Sequence, residues 1–421
     1  MSAMAKSPTS LSNLLDGSLL PDILKGTFIR RPNRFVIQCA VAGGVLDAYL
    51  PNPGRLWELL LPGRTVYLVP RAPGSAGRLT HTAVAVERAG VPLLLHTHLN
   101  NTVAAALIGQ RRIPGLEDAT IVRAEAKVGH SRFDFLLERG GRPFYLEVKS
   151  CTLVGNGIAM FPDAVTLRGK RHLEELAAMS RAGAPCGVLF LVHWPHARYF
   201  LPDYHTDLAF ARTFAEVRED LLIKAVALTW RPDLSLAPEI REVAIPWETI
   251  EQEARDSGSY LILLHIPRPV KAQVGGLGEL PFAAGYYLYV GTAKVALTKR
   301  IERHLRKKTA LHWHIDYLTG YAEKCTAIPI RSSAALEHEL AQAVGRIADG
   351  CVASFGSSDC ACPGHLFFFA ENPLERQSFI DLIQHFRIDR LEEAICPGAE
   401  KHPHGAAVQK GSDARRAKPE E

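Results

Sequence analysis

The sequence predicts a multidomain protein of mixed α+β and α/β class. At 421 residues the chain is longer than one ordinary domain, and its 47% hydrophobic content can fill more than one core. Short strand-like runs separated by proline and glycine fill residues 27–86, which is typical of a small β-barrel. From about Leu94 helical and strand-like segments alternate, and a new series of apolar strands begins at Gly258. These changes of pattern predict three folded units.

The predicted boundaries follow these changes. We expect a disordered polar leader, a barrel, an alternating helix–strand domain and a further α/β domain at residues 1–17, 18–93, 94–234 and 258–395. Residues 235–257 include Pro238 and Pro246, so they are predicted to be a linker. Residues 396–421 combine low hydrophobicity with high charge, which predicts a disordered tail.

Composition favours a reduced, intracellular setting. The formal charge of +5 and pI near 8.7 permit contact with nucleic acid without requiring it. Eight cysteines without regular disulfide spacing indicate free thiols in a cytoplasm. The first ten residues lack the apolar core of a signal peptide, and runs such as 187–192 are too short to span a bilayer. We therefore expect a cytoplasmic protein without membrane segments.

The strongest chemical pattern lies in two adjacent strand-like runs, 131–135 and 145–150. Gly140 and Gly141 separate the runs and predict an antiparallel hairpin. Alternation along the second run directs Glu147 and Lys149 to one face and Val148 to the other. Asp134 can then face Glu147, and two neighbouring carboxylates repel each other unless a cation such as Mg²⁺ or Mn²⁺ lies between them. The alternative is a strand whose charged side chains are merely solvated.

The segment after the second run favours a cation-binding site over solvated side chains. Residues 161–176 predict a loop that enters an amphipathic helix, and the first turn of this helix is rich in basic side chains. Arg168 and His172 are the candidates for contact with a phosphate-bearing substrate. A basic cluster beside a carboxylate pair is what cleavage of a phosphodiester requires.

Together with residues 125–130, 24–35 and 51–60, this segment closely resembles the sugar fermentation stimulation protein A family. The resemblance ends near Trp230 and implies an OB-like barrel followed by a PD-(D/E)xK nuclease-like α/β domain. It also implies roles for single side chains. Asp134, Glu147 and Lys149 become the metal and catalytic core, with Asp134 and Glu147 as the metal ligands. Glu125 is expected on a preceding helix as a further catalytic residue, and Thr166, Arg168 and His172 are expected to support the core.

An OB-like barrel often binds nucleic acid through basic residues on one face. The candidates in this chain are Arg30, Arg31, Asn33, Arg34 and Arg55. The alternative is that these arginines belong to the ordinary solvated surface.

The C-terminal domain has its own ordered pattern. A strand at 258–265 opens with Gly-Ser-Tyr, a second strand at 284–291 ends in Tyr-Val-Gly, and a basic helix follows at 299–308. With the segments 312–318 and 355–360, the pattern resembles the GIY-YIG nuclease superfamily from Gly258 to about Phe369.

That resemblance implies a catalytic set in this domain: Tyr260 and Tyr289 to activate water, Arg300 to balance phosphate charge and Glu337 to hold a metal ion. A phenol is a poor base unless its pKa is lowered, which nearby cations such as Arg300 could do. His304 lies one helical turn after Arg300, so it is expected to share the face that contacts nucleic acid. Glu339 is an alternative to Glu337, and the domain could instead serve only to dock DNA.

Cys360, Cys362 and His365 form a Cys-x-Cys-x-x-His group. Structural zinc sites usually have four ligands with wider cysteine spacing, and the fourth ligand here would be Cys351, Cys325 or a distant histidine. We therefore expect buried structural residues in a tight loop rather than a metal site.

The sequence as a whole predicts a metal-dependent nuclease that uses Mg²⁺ or Mn²⁺ and acts on DNA or RNA. The competing prediction is a DNA-binding regulator that uses the same basic surfaces without cleaving its ligand. Metal-dependent turnover separates these two classes.

Overall fold

The computed structural model describes residue 20 and residues 22–71, 78–306, 311–357 and 360–396. The predicted leader at 1–17 and the predicted tail beyond Cys396 lie outside the described residues.

The N-terminal unit is a closed β-barrel. Its strands are β1 (Leu24–Asn33), β2 (Val36–Val41), β3 (Gly44–Tyr49), β4 (Thr65–Pro70), β5 (His81–Arg88) and β6 (Val91–Leu94). They are ordered β3-β2-β1-β4-β5-β6, and a parallel pairing of Ala48 with His81 joins β3 to β5. Alternate side chains such as Phe28 and Ile37 fill the interior. The barrel predicted from short strands and glycine–proline punctuation is therefore confirmed.

The middle domain combines a mixed sheet with helices on both faces. Its elements are α1 (Asn100–Gly109), β7 (Thr120–Val128), β8 (Ser131–Arg139), β9 (Arg142–Cys151), β10 (Leu153–Val154), β11 (Ile158–Phe161), α2 (Leu167–Arg181), β12 (Cys186–Val192), β13 (Tyr199–Pro202), α3 (Leu208–Glu216), β14 (Leu222–Trp230), β15 (Leu236–Glu242) and α4 (Trp247–Glu253). The main sheet has the order β15-β14-β12-β9-β8-β7, and the three central strands are parallel. A smaller sheet has the order β10-β11-β13.

Central strand β12 is buried along its whole length, since both of its faces are covered. On one side Phe190 contacts a core built from α2, α3 and parts of the barrel. On the other side Leu189 and Leu191 pack with apolar side chains of α1, including Leu107. This arrangement places the N-terminal halves of α1 and α2 beside the part of β8 and β9 that carries the predicted carboxylates.

The segment 235–257 is not the linker that its prolines suggested. Its first part forms β15, which pairs antiparallel with β14, and its second part forms α4. Ile250 is fully buried in the first core, and Trp247 stacks on Phe214 with ring centroids 5.3 Å apart. The prolines are compatible with this regular structure. Pro238 lies on an edge strand and Pro246 directly precedes a helix, and neither position requires a backbone N–H from the proline.

The C-terminal domain contains β16 (Gly258–Ile266), β17 (Val270–Gln273), β18 (Glu279–Phe282), β19 (Gly285–Ala293), α5 (Leu297–Leu305), α6 (His314–Thr319), β20 (Lys324–Arg331), α7 (Glu337–Ile347), β21 (Gly350–Val352), β22 (Leu366–Phe369), α8 (Gln377–Gln384) and α9 (Arg390–Ile395). A π-helical turn, His385–Asp389, joins the last two helices. The sheet is antiparallel with the order β20-β16-β19-β22-β21, while β17 and β18 form a separate hairpin. Helices α7 and α8 cover one face of the sheet, and α5 and α6 cover the other.

The C-terminal domain packs against the middle domain through a buried polar interface. Asp203 is fully buried and contacts the guanidinium of Arg387 at 3.0 Å. His205 accepts the backbone N–H of Arg331 at Nδ1, 2.9 Å, and its Nε2 donates to the carbonyl of Arg387 at 2.7 Å. Apolar side chains cross as well, because Ile388 and Leu391 are members of the first core.

Residues 153–159 also belong to this interface. The backbone N–H of Asn156 donates to Asp389 at 2.7 Å. A Cβ atom on Gly155 would lie 2.3 Å from that same carboxylate, and one on Gly157 would lie 1.9 Å from Glu392. The glycines therefore allow close approach of the C-terminal helices.

No helix in the described part of the chain combines the length and apolarity needed to cross a bilayer.

Candidate functional site

The hairpin of β8 and β9 positions the first pair of candidate carboxylates. The ladder runs from Arg139–Arg142 to Phe135–Leu146, and Gly140 and Gly141 occupy its turn with φ of 56° and 74°. At Asp134 the regular ladder has ended. Its Oδ2 accepts the backbone N–H of Val148 at 2.7 Å, so the carboxylate is held directly beside the second strand.

Glu147 and Lys149 share a face of β9, as the alternation predicted. Glu147 is 4% exposed, and its Oε1 accepts hydrogen bonds from Lys149 Nζ and from His172 Nδ1, the latter at 2.7 Å. Its other oxygen, Oε2, is buried and has no hydrogen-bond partner among the described residues. A buried carboxylate oxygen without a donor is energetically costly and marks a position where a cation fits.

The two carboxyl groups have opposite pKa shifts. Burial raises the pKa of Asp134 to about 6, and the nearby charge of Glu147 adds to that rise. Burial also acts to raise the pKa of Glu147, but the hydrogen bond from His172 and the charge of Lys149 outweigh it and lower that pKa. At neutral pH both groups are therefore mainly ionised, with two negative charges close together and one ammonium beside them.

Asn101 supports Asp134 and was missed by sequence reasoning. Its side-chain Nδ2 donates to Asp134 Oδ1 at 2.7 Å from the first turn of α1. The neighbouring Asn100 is 5% exposed and contacts His193 at 2.9 Å. The available signal was a pair of asparagines that opens an otherwise apolar helix, since amides in such a position usually bind a specific partner.

Glu125 was expected on a helix, but it lies on strand β7. Its side chain is exposed and forms an ion pair of 3.3 Å with Arg132, another exposed residue. The expected helix is therefore wrong, while the catalytic role of Glu125 stays a prediction. The register of β7 and β8 pairs Ala124 with Phe135 and Ala126 with Phe133, so it brings Glu125 opposite Asp134. The side-chain hydrogen bond that Asp134 accepts comes from Asn101.

The predicted cluster on α2 divides into buried and exposed members. Thr166 caps the helix by accepting the N–H of Gly169 at 2.9 Å. His172 was predicted to contact nucleic acid, but it is 1% exposed and cannot reach a surface ligand. Its Nε2 accepts from Arg168 at 3.3 Å, so the other nitrogen, Nδ1, carries the proton that it donates to Glu147. Arg168 itself is exposed, and His172 lies between it and Glu147.

The candidate residues of the barrel differ in their exposure. Arg31 is half-buried and donates to the carbonyls of Gly54 and Arg55. Arg30 and Arg34 are exposed, with contacts to Gln38 and to the Pro53 carbonyl. Arg55 is not available to nucleic acid in the way predicted. Its guanidinium donates to the Asp163 carbonyl and to Thr206, both at 2.5 Å, and stacks on Trp57 at 4.7 Å. It therefore joins the barrel to the middle domain.

In the C-terminal domain the two candidate tyrosines lie on adjacent strands. Tyr260 of β16 pairs with Gly291 of β19, and Tyr289 lies on the same face with its ring centroid 6.3 Å from that of Tyr260. A Cβ atom on Gly291 would lie 2.5 Å from the phenol oxygen of Tyr260. The glycine of the Tyr-Val-Gly motif therefore makes room for the ring of the first tyrosine.

His304 was predicted to contact nucleic acid, yet it is 1% exposed and joins a buried chain of hydrogen bonds. Its Nε2 is 3.0 Å from the hydroxyl of Tyr260, and its Nδ1 is 3.0 Å from Asp316 Oδ1. Burial raises the pKa of Tyr260, and Arg300 does not overcome that effect. The expected lowering of the phenol pKa by cations is therefore wrong. In its place the structure offers an imidazole oriented by a carboxylate, which can accept the phenol proton.

Arg300 and Glu337 border the same face. Arg300 lies over the ring of Trp313 at 4.7 Å, and its charge acts on Tyr260. Glu337 begins α7 and is 3.4 Å from His365 Nδ1. Its charge also acts on Tyr260, whereas Glu339, the alternative, is exposed.

The chain is similar to known families along three segments. Residues 29–95 match "SfsA N-terminal OB domain", residues 98–233 match "Sugar fermentation stimulation protein RE domain", and residues 259–388 match "Domain of unknown function DUF123". The first two matches coincide with the barrel and the middle domain.

Individual proteins of this kind are similar to the barrel and middle-domain part of the chain. A sugar fermentation stimulation protein homolog of Moorella thermoacetica is 39% identical over 196 residues, which are 46% of this chain and 84% of the relative. A homolog of the same name from Methanothermobacter thermautotrophicus is 35% identical over 233 residues, which are 54% of this chain and 96% of the relative. A solved structure of Pyrococcus furiosus SfsA in complex with Ca²⁺ is 29% identical, with a TM-score of 0.50, and the match covers 54% of this chain and 96% of that one.

Proposed function

Given that the chain belongs to the sugar fermentation stimulation protein family, we propose that its middle domain is a metal-dependent nuclease that hydrolyses phosphodiester bonds in DNA. The observation that carries the proposal is the open, buried Oε2 of Glu147 beside Asp134 and Lys149. RNA contains the same phosphodiester bond, and the same experiment tests it as a substrate.

The donor set fits a hard divalent cation. Asp134 and Glu147 offer carboxylate oxygens, which suit Mg²⁺ or Mn²⁺. The Ca²⁺ complex of the Pyrococcus furiosus relative supports this assignment, since Ca²⁺ also prefers oxygen ligands. When bound, the cation would supply Lewis-acid stabilisation of phosphate charge and lower the pKa of a bound water.

The surrounding side chains have complementary roles. His172 and Asn101 hold the two carboxylates in place, so they are positioning residues. Lys149 places an ammonium group beside Glu147, where it can orient water or offset phosphate charge. Arg168 is exposed next to His172 and can form charge-assisted hydrogen bonds with a substrate phosphate. Arg30 and Arg34 on the barrel can contact more distant phosphates.

The proposal for the C-terminal domain is a second, GIY-YIG-like nuclease module that cleaves or docks DNA. It is supported by Tyr260, Tyr289, Arg300 and Glu337 on one side of the domain. The hydrogen bonds of His304 to Tyr260 and Asp316 provide a route for the phenol proton, which replaces the lowered phenol pKa that the sequence suggested.

The first test is cleavage of labelled single-stranded, duplex and branched DNA and of RNA, with and without Mn²⁺. Asp134→Ala and Glu147→Ala are expected to abolish cleavage by the middle domain, while affinity for DNA in EDTA stays nearly unchanged because phosphate contacts remain. Glu138→Ala is the matched control, since this exposed carboxylate lies on the same strand as Asp134. Full activity in both site variants would contradict the assignment. DNA binding without any metal-dependent turnover would favour the regulator.

The second test separates the two modules. If the C-terminal domain is catalytic, a Mg²⁺-dependent activity survives Asp134→Ala and is lost when Glu337→Ala is added. Glu339→Ala, an exposed change on the same helix, is expected to leave that activity unchanged. If the domain only docks DNA, no residual activity exists in the Asp134→Ala protein. In that case Arg300→Ala weakens binding and reduces its salt dependence by about one phosphate contact.

A further inference from the structure

Four side chains with soft or borderline metal-binding atoms meet beside the C-terminal domain's candidate site. Cys360, Cys362 and His365 come from the loop between β21 and β22, and His338 comes from the first turn of α7. Their four ligand atoms all lie within 4.8 Å of one another. Sequence spacing alone could not identify His338 as the fourth member, because it is far from the loop along the chain.

The distances fit tetrahedral coordination. Cys360 Sγ lies 3.5 Å from His365 Nε2, and Cys362 Sγ lies 3.4 Å from His338 Nδ1. Zinc bonds of about 2.3 Å to sulfur and about 2.0–2.1 Å to nitrogen, at tetrahedral angles, separate a sulfur from a nitrogen by about 3.6 Å. We propose that His338, Cys360, Cys362 and His365 bind one Zn²⁺ in a closed structural site. This proposal is independent of the nuclease function proposed above.

The surroundings of His365 match those of a zinc ligand. His365 is 2% exposed, and while Nε2 faces the thiols, Nδ1 lies 3.4 Å from Glu337 Oε1. Metal-bound histidines commonly direct their second nitrogen to a carboxylate, which fixes the ring and raises its basicity. The backbone is fixed as well, because the His365 N–H donates to the Phe355 carbonyl at 2.7 Å and its carbonyl accepts from Val290 at 2.9 Å.

Ligand type distinguishes this site from the carboxylate site of the middle domain. Thiolates and imidazoles select zinc, whereas Asp134 and Glu147 offer only oxygens to Mg²⁺ or Mn²⁺. Four protein ligands leave no open position for a reacting water, so the zinc has a structural task. It fastens the β21–β22 loop to α7. The same loop brings Gly356 against the ring of Tyr289, where an added Cβ would lie 2.8 Å from a ring carbon.

The test is the metal content of the full-length protein, purified under reducing conditions from zinc-supplemented cells and dialysed extensively. About one zinc per chain is expected for the wild type, and close to none for the Cys360→Ser/Cys362→Ser double variant. Cys351→Ser is the matched control, because this exposed cysteine lies in the same hairpin but outside the cluster. Asp134→Asn is a second control and is also expected to retain the zinc.

Replacement of the zinc by Co²⁺ gives a readout that does not depend on any variant folding. The wild type is expected to show the intense visible bands of tetrahedral Co²⁺ together with thiolate charge-transfer absorption, and X-ray absorption should give two sulfur and two nitrogen ligands. A wild-type protein that retains no zinc would overturn the proposal. So would zinc that persists in the double variant, or a thiol count showing that Cys360 and Cys362 form a disulfide with each other.

Discussion

The two oxygens of Glu147 have different surroundings. Oε1 accepts from Lys149 and His172, and Oε2 has no donor among the described residues. The hydrogen bond from His172 fixes the direction in which the open oxygen points, and Arg168 fixes the tautomer of His172 in turn. A buried histidine that touches no substrate therefore governs the geometry of the proposed metal ligand.

We predict that His172→Ala lowers the apparent affinity for Mn²⁺ by roughly 10–100-fold, the usual effect of removing the partner of a metal ligand. The measurement is the Mn²⁺ concentration at half-maximal cleavage, with substrate KM measured in parallel at saturating metal. Lys170→Ala is the matched control, since Lys170 lies on the exposed face of the same helix and pairs only with Glu174 in the described structure, at 2.7 Å. A His172→Ala enzyme with the metal titration of the wild type would show that the imidazole does not position Glu147.

Among the structural elements, the segment that follows β14 differs most from its sequence pattern. Strand β15 extends the main sheet, and α4 buries Ile250 against the first core. The segment is therefore part of the middle domain, and cutting it would remove a sheet edge together with a core side chain.

We expect Ile250→Ala to reduce the free energy of unfolding by roughly 2–5 kcal/mol, because it leaves a cavity in a packed core. Glu248→Ala, an exposed change in the same helix, is expected to have an effect within about 0.5 kcal/mol. Chemical denaturation measures both. Limited proteolysis gives a second check, since a packed segment resists cleavage. Rapid cutting within 235–257 would instead indicate a flexible linker.

Local patterns explain which parts of the site could be predicted. The β8–β9 hairpin and the shared face of Glu147 and Lys149 follow from a glycine turn and from alternation, which depend only on neighbouring residues. Asn101 and His338 could not be assigned in the same way, because each acts on residues distant in sequence. Arg55 was misjudged for a related reason. An arginine that ties two domains together looks, in sequence, like one that faces solvent.

At the scale of the whole molecule, the polar interface around Asp203 and His205 holds the C-terminal domain against the middle domain. Both side chains are fully buried. Burial and the nearby Arg387 lower the pKa of His205 well below its ordinary value, so the folded protein keeps this imidazole neutral. In the unfolded chain the same group takes up a proton near pH 6.5.

Folding stability should therefore depend on pH through His205. Because its folded pKa is depressed, its contribution is fully present above about pH 6.5 and is lost as the pH falls below that value, by up to about 1.4 kcal/mol per pH unit. His205→Gln removes this titrating group. Between about pH 6.5 and 5, the slope of the unfolding free energy against pH is therefore expected to be smaller in the variant, by up to about 1.4 kcal/mol per pH unit. His130→Gln, at an exposed site, is the control.

The effect of His205 is measured as the difference in unfolding free energy between variant and wild type at each pH. Asp134 and Asp163, whose pKa values burial raises to about 6, act in the opposite direction over the same range. Identical pH slopes for wild type and His205→Gln would mean that the interface opens before His205 is protonated.

The burial of Ile388 and Leu391 in the first core bears on how the chain is made. A ribosome releases the barrel and the middle domain first, and these two side chains emerge roughly 140 residues after α4. At about 5–20 residues per second that interval lasts on the order of 7–28 s. Throughout it, the apolar surface that will receive α9 stays uncovered on the nascent chain. This surface is where a chaperone would be expected to bind during synthesis, and where premature association of two nascent copies would begin.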